Sequence, residues 1–274
     1  MPELPEVERV RRTLQATVVG RTVASLRVRR RDVVHGSAGP KSLLAGRRIQ
    51  RIYRHGKQLC LVGDDDQHCV CIHLGMSGSL RYLNGAANGQ VLDNHCHVTW
   101  RFAHGGQLVF RDPRRFGGLW TFDQPQDLWQ QRWKTLGPDA MTITASQLYD
   151  KLVRTDRALK AALLDQHVVA GLGNIYVDEL LFGCRLRPLK PASKLTKPQT
   201  RQMVRHMRRM LEKAVVAGGS TLRDYVDANG RQGGYQSLHR VYGRGGKSCK
   251  KCRRKLATCK LAGRTTVFCL RCQV

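Results

Sequence analysis

Acidic side chains are scarce in this chain. Its 274 residues carry 20 Asp and Glu against 48 Lys and Arg, a formal net charge of +28, and a field of one sign this strong points to a polyanionic partner. Long apolar runs are missing too. Even Ala161 to Gly173 is broken by Asp165 and His167, which excludes a helix of the ~18 apolar residues a membrane span needs. Proline is sparse at 9 residues while 41% of the chain is apolar; that balance excludes a disordered basic tail and predicts a globular protein of one large or two ordinary domains. The opening MPELPEVE lacks a basic start followed by an apolar run, so no secretory leader is expected. In a chain this long the ten cysteines are then read as thiols of a reducing cytoplasm, not as a disulfide scaffold.

What is present changes character along the chain. From Val18 to about Phe122, short β-branched and aromatic runs such as LCLVGDDD, CVCIHLG and HVTWRFAHGG predict an antiparallel β-sandwich or barrel. Before it, Pro5, Glu6, Val7, Val10 and Leu14 predict a helix with an acid at its positive end. The stretch Leu136-Gly-Pro-Asp-Ala reads as a linker. Beyond it SQLYDKLV, RALKAALLDQ, NIYVDELLF and 197–216 carry helical periodicity. The expected organisation is an α+β protein of two domains: a helix and sandwich over 1–133, a linker over 134–142, a helical domain over 143–242, and a small cysteine-rich unit over 243–274.

That last unit holds the strongest local signal. Cys249-x-x-Cys252 is followed, sixteen residues on, by Cys269-x-x-Cys272, a spacing that lets four thiolates converge on one structural Zn²⁺ with no open position for catalysis. A redox dithiol is the competing reading. About 30 residues cannot bury a core, so a metal would hold the unit together. Ten Lys and Arg and no acid surround these cysteines, and such a cluster repels itself unless phosphates or counter-ions neutralise it. Cys69, Cys71 and His73, and separately His95 and His97, alternate as on one strand face. Such residues are mostly core or surface, so a second metal site is not expected.

Catalysis is suggested at the other end. Removal of Met1 would expose the secondary amine of Pro2 with the acid Glu3 beside it. An α-amino group titrates near ~7.7–8.0, so a usable fraction is neutral and nucleophilic at pH 7. The competing reading is an ordinary helix start.

MPELPEVE at 1–8, HGK at 55–57, HLGMSGSLR at 73–81, DPRRFG at 112–117, AGLGNIYVDELLF at 170–182 and the terminal YGRGG…CxxC…GRTTVFCLRCQ closely resemble the bacterial formamidopyrimidine-DNA glycosylase family, in order and in spacing. The resemblance implies a base-excision enzyme that removes oxidised purines from duplex DNA and cuts the abasic strand by β,δ-elimination. By it, Pro2 is the nucleophile, Glu3 the acid that opens the sugar, and Lys57 and Arg264 the proton donors for the two eliminations. Met76, Arg114 and Phe116 fill the hole left by the extruded base; Asn174, Lys160, His95 and Arg154 contact DNA; 222–236 is a lid. The helical domain carries a helix–two-turn–helix element and the cysteine unit is a zinc hairpin. The partner is damaged double-stranded DNA, and a monomer is expected. Ser248, Arg253 and Ala161 depart from the family pattern (Pro, Gly and Pro), and none is a ligand or catalytic position. The alternatives are an endonuclease VIII-like enzyme for oxidised pyrimidines, against which the PELPEVE start and the Met76, Arg114, Phe116 set argue, and a non-catalytic zinc DNA-binding protein.

Overall fold

The first helix begins where the patterning places it. In the computed structural model, which describes residues 2–85 and 93–274, α1 spans Leu4–Thr17, and Glu3 and Glu6 close a reciprocal capping box at its start, satisfying amides that the first turn leaves unpaired. Leu4, Val7, Val10 and Leu14 are buried, one stripe at helical spacing.

The chain divides into two compact units. The first is Met1–Lys134 with Ala217–Gly234, the second Thr135–Val216 with Tyr235–Val274. In the first, β1 (Val23–Val28), β7 (Cys96–Phe102), β8 (Gln107–Arg111) and β6 (Ser79–Leu83) form one sheet in that order. The other runs β2 (Val34–His35), β9 (Gly118–Phe122), β5 (Cys69–His73), β4 (Gln58–Gly63), β3 (Ile49–His55). One core joins α1 to both sheets, with Leu59, Leu61, Val70 and Ile72 from one and Leu80, Val98, Trp100 and Phe110 from the other. The expected sandwich is present, with one departure: the two-residue β2 pairs parallel to β9.

Alternation explains three of the six cysteines outside the C-terminal set. Cys60, Cys69 and Cys71 point to the opposite face of the second sheet, where they form a small core with Val62, Phe122 and Leu128 of the short helix α2 (Pro125–Leu128) under Trp120 and Trp133. Burial pushes the Cys71 thiol up to about 12, so it is an inert apolar side chain.

One expected boundary differs. Residues 217–234, placed within the expected helical domain of 143–242, cluster with the sandwich: Ala228 enters its core, its carbonyl accepts from Tyr82 N at 2.8 Å, and Arg9 pairs with the buried Asp227 at 3.2 Å. The 134–142 stretch is not slack. Gly137 N donates to Gln166 O, Ala140 is fully buried, and a β-carbon on Gly137 would lie 2.6 Å from Val168 O.

The second unit contains α3 (Ala145–Leu152), α4 (Leu159–Leu164), α5 (Asn174–Gly183), α6 (Lys197–Val216) and a hairpin of β10 (Ala257–Leu261) and β11 (Arg264–Phe268). Between α4 and α5 the Gln166 amide donates to Leu164 O and Leu172 O and accepts from Gly171 N. One side chain thus fastens the double turn. No helix among the described residues is long and apolar enough to cross a membrane.

Candidate glycosylase site and nucleic-acid interface

Pro2 and Glu3 are buried at the start of α1; Met1 lies outside the described residues. The Glu6 carboxylate receives Glu3 N at 2.8 Å and, through its other oxygen, Ser220 N at 2.7 Å. Gly219 has φ +81 and a β-carbon there would sit 2.8 Å from that oxygen, so only glycine lets the backbone approach so closely.

Lys57 is 8% exposed and sits in the two-residue turn between β3 and β4. Gly56, with φ +56, takes the first central position, as a II′ hairpin turn demands. That turn is tied to α1. Glu8 accepts from Arg11, Arg12 and Arg54, and Arg54 also donates to Gly56 O at 2.9 Å. Burial alone would raise the Glu8 carboxyl, but Arg11, Arg12 and Arg54 together bring it down to about 2. A depressed folded pKa gives stability that is present above about pH 4.5 and is lost as pH falls toward 2. Glu8→Gln should therefore lower the melting temperature at pH 7, by an amount equivalent to about 2 kcal/mol after solvent screening, and flatten its acid dependence below pH 4.5. Unchanged melting curves at both pH values would refute the tie.

His73 lies at the end of β5. Burial, with the charges of Arg132 and Lys57, holds its imidazole down at about 4, neutral at physiological pH.

Two loops display the expected hole-filling residues. Met76 and Phe116 are 46% and 59% exposed, and the Arg114 guanidinium lies 5.3 Å from the Phe116 ring centroid. Behind them Asp112, fully buried, accepts from Ser77 Oγ at 2.5 Å and Gly117 N at 2.7 Å, while Ser77 Oγ accepts from Arg114 N. Gly75 and Gly117 allow the loops to touch: a β-carbon on Gly75 would lie 2.4 Å from the Phe116 carbonyl carbon. Asp112→Ala should cost about 2–4 kcal/mol, because it orphans a buried amide and a hydroxyl, and should weaken binding to an abasic-analogue duplex. Thermal denaturation and anisotropy read both; wild-type values for the two would show that the loops need no clamp.

In the second unit Lys160 departs from expectation. Expected as a DNA contact, it has no exposed surface; its ammonium donates to Asp178 Oδ1 at 2.6 Å and to Thr265 O at 3.3 Å. Asn174 Nδ2 donates to the same carbonyl at 3.1 Å, and Asp178 Oδ2 accepts from Val267 N. Burial pushes the Asp178 carboxyl up to about 6 while Lys160 pulls it back. Lys160, Asn174 and Asp178 thus grip β11, whose first residue is the exposed Arg264. Ala262 and Gly263 both have positive φ, which a I′ hairpin turn requires. Arg154 and His95 are exposed.

The sulfur atoms of Cys249, Cys252, Cys269 and Cys272 all lie within 4.8 Å of one another, the one such group of metal-ligand type among the described residues. A tetrahedron of ~2.3 Å Zn–S bonds has edges of about 3.8 Å, so the four thiols fit a metal. Cys259 stays in β10 opposite Thr266.

The family described as formamidopyrimidine-DNA glycosylase N-terminal domain matches residues 1–119, and its H2TH domain matches 136–226. The chain belongs to the formamidopyrimidine-DNA glycosylase family. It is 42% identical to the formamidopyrimidine-DNA glycosylase of Bacillus licheniformis, over all of this chain and 99% of that protein, and 39% identical to that of Bacillus subtilis over the same shares. The crystal structure of the MutM (Fpg) protein from Thermus thermophilus is 37% identical with a TM-score of 0.87, covering 99% of this chain and 98% of that one. The Lactococcus lactis Fpg in complex with an abasic site containing DNA is 34% identical with a TM-score of 0.89, covering 99% of both.

Within this member, residue patterning missed the supports Arg54, Asp112 and Asp178, and also Glu179, which accepts from Val241 N. For Asp178 and Glu179 the signal was present as acids inside the otherwise apolar helical text NIYVDELLF, where a buried carboxylate demands a partner.

Proposed function

We propose that this chain excises oxidised purines, 8-oxoguanine and formamidopyrimidines, from duplex DNA and then cleaves the abasic strand, with Pro2 as nucleophile. One observation carries the reading: Pro2 and Glu3 are buried at the head of α1, and that helix is tied through Glu8 and Arg54 to the turn bearing Lys57. A secondary amine, a shielded acid and an ammonium are thereby kept on one rigid framework.

The Pro2 nitrogen attacks C1′ of the damaged nucleotide as the glycosidic bond breaks, and the base leaves with a proton. Glu3 gives its proton to the ring oxygen, the C1′–O bond opens, and an iminium joins Pro2 to the sugar. Lys57 and Arg264 serve as proton donors as the two phosphates are eliminated in turn, leaving a gap bounded by phosphates. Extruding the base costs a few kcal/mol; Met76 and Phe116 offset this by filling the stack while Arg114 meets the orphaned cytosine. Cys249, Cys252, Cys269 and Cys272 would hold one Zn²⁺, whose contribution is to fold the hairpin that presents Arg264.

Borohydride reduction in the presence of an 8-oxoguanine·cytosine duplex should give a covalent adduct that mass spectrometry places on the peptide beginning at Pro2. A chain with one glycine inserted between Met1 and Pro2 should give none. An adduct on a lysine, or one that survives the insertion, would remove Pro2 from its role.

A further inference from the structure

The second unit carries a cationic surface that the lesion-reading residues do not use. Thr200, Met203, Val204, Met207, Met210, Leu211, Ala214 and Val215 bury one face of α6. On the opposite face Arg201, Arg205, Arg209 and Lys213 recur every fourth residue, all exposed. At ~1.5 Å rise per residue this row climbs about 18 Å along the helix while turning about 40° per step, roughly the span of five nucleotides of one strand at ~3.4 Å each. None of the four forms an ion pair among the described residues; Glu212 is the lone acid on this face.

The row runs into a cavity of about 540 Å³ to which Arg209 and Lys213 contribute, together with His206, Arg240 and Lys250. Its one carboxylate, Glu179, is held by the backbone amides of Arg240, Val241 and Tyr242 at 2.8–3.0 Å, and one acid against Arg209, Lys213, Arg240 and Lys250 leaves the cavity with an excess of positive charge. Their field is felt locally: burial and the charges of Arg240, Arg209 and Lys213 lower the His206 pKa. Asn174 and Asp178 face β11 on one side of α5, whereas Glu179, five residues beyond Asn174 and about 140° round the helix, faces the cavity.

We propose that the outer face of α6 and this cavity form a second binding surface for the phosphate backbone of undamaged duplex DNA, separate from the surface that reads the lesion. Guanidinium forks at even spacing suit a row of phosphates. Between residues 201 and 213 the exposed face holds no apolar side chain, unlike a helix that lies in a membrane. Such a surface lets one molecule hold two duplex segments and pass between them.

The test uses the full-length protein. It is first saturated with an unlabelled duplex carrying a tetrahydrofuran abasic analogue, and formation of this one-to-one complex is checked by native mass spectrometry; its absence would count against the proposed function alone. A fluorescent undamaged duplex is then titrated in. The wild type should bind it without releasing the first. R201Q/R205Q/R209Q, checked for unchanged circular dichroism and metal content, should bind it at least tenfold more weakly. Its log K against log salt should be shallower by roughly 0.9 per lost phosphate contact. The free protein, compared with the variant on undamaged duplex, gives the same readout if the first complex fails. The proposal is overturned if the second duplex displaces the first, if it binds wild type and variant equally, or if only inorganic phosphate or ATP binds the wild type and no second duplex does.

Discussion

Asp178→Ala should destabilise the second unit by about 3–5 kcal/mol, because it strands the Lys160 ammonium where neither group of the pair has any exposed surface. The same change frees Val267 N and loosens the grip on β11. Excision and the first elimination should persist, while the second, assigned to Arg264, should slow by tenfold or more, so that gel products shift toward the β-eliminated end. Lys160→Met with Asp178→Leu should regain most of the stability, because the interior then holds no uncompensated charge; it should not regain the second elimination, because Thr265 O keeps only the Asn174 donor and Val267 N loses its carboxylate acceptor. Chemical denaturation of the three proteins separates the cost of stranding the ammonium from the cost of losing the pair. A loss under about 1 kcal/mol in the single variant would mean that water reaches the pair and that it does not organise the hairpin.

Cys252→Ser should have the larger effect on DNA binding. Structural zinc supplies folding free energy on the order of 10 kcal/mol in small four-ligand units, and here the sulfurs of Cys249 and Cys269 are also part of the small core with Phe182, Val241, Leu256 and Val267. Loss of one ligand should release the metal, unfold 243–274 and remove the cations gathered there, lowering duplex affinity by two orders of magnitude or more. The sandwich, whose core contains no residue of that hairpin, should keep its thermal transition. Elemental analysis showing one zinc per chain in the variant would exclude this ligand set. A zinc-free wild type that still binds duplex at full affinity would show that the hairpin stands without metal.

How much of this was legible beforehand differs by residue. The α1 stripe and the strand alternation were readable because burial on one face imposes a period on the chain itself. The cysteine spacing was readable because ligand geometry constrains neighbours in sequence. Lys160 was not, since a lysine with a DNA-facing role and one locked under a strand look alike until the Asp178 carboxylate, eighteen residues away, is placed beside it. The lid expected over 222–236 rested on the resemblance, with Gly230, Gly233 and Gly234 as its hinges. In the fold Tyr225 donates to Glu6 O and Asp227 accepts from Asn229 N and Arg231 N, so the middle of that segment is anchored on the sandwich while Leu222 stays half exposed.

By itself, the amino-acid sequence determined the charge balance, the helix, sandwich and hairpin classes, the four metal-type cysteines and the family. All of these are local patterns or sums over the chain. Tertiary structure alone decided that residues 217–234 return to the sandwich, that Asp112 clamps two display loops, and that Lys160 is a prop under β11. Each depends on a buried charge meeting a partner distant in sequence, and burial of a charge is stable only where the fold supplies that partner.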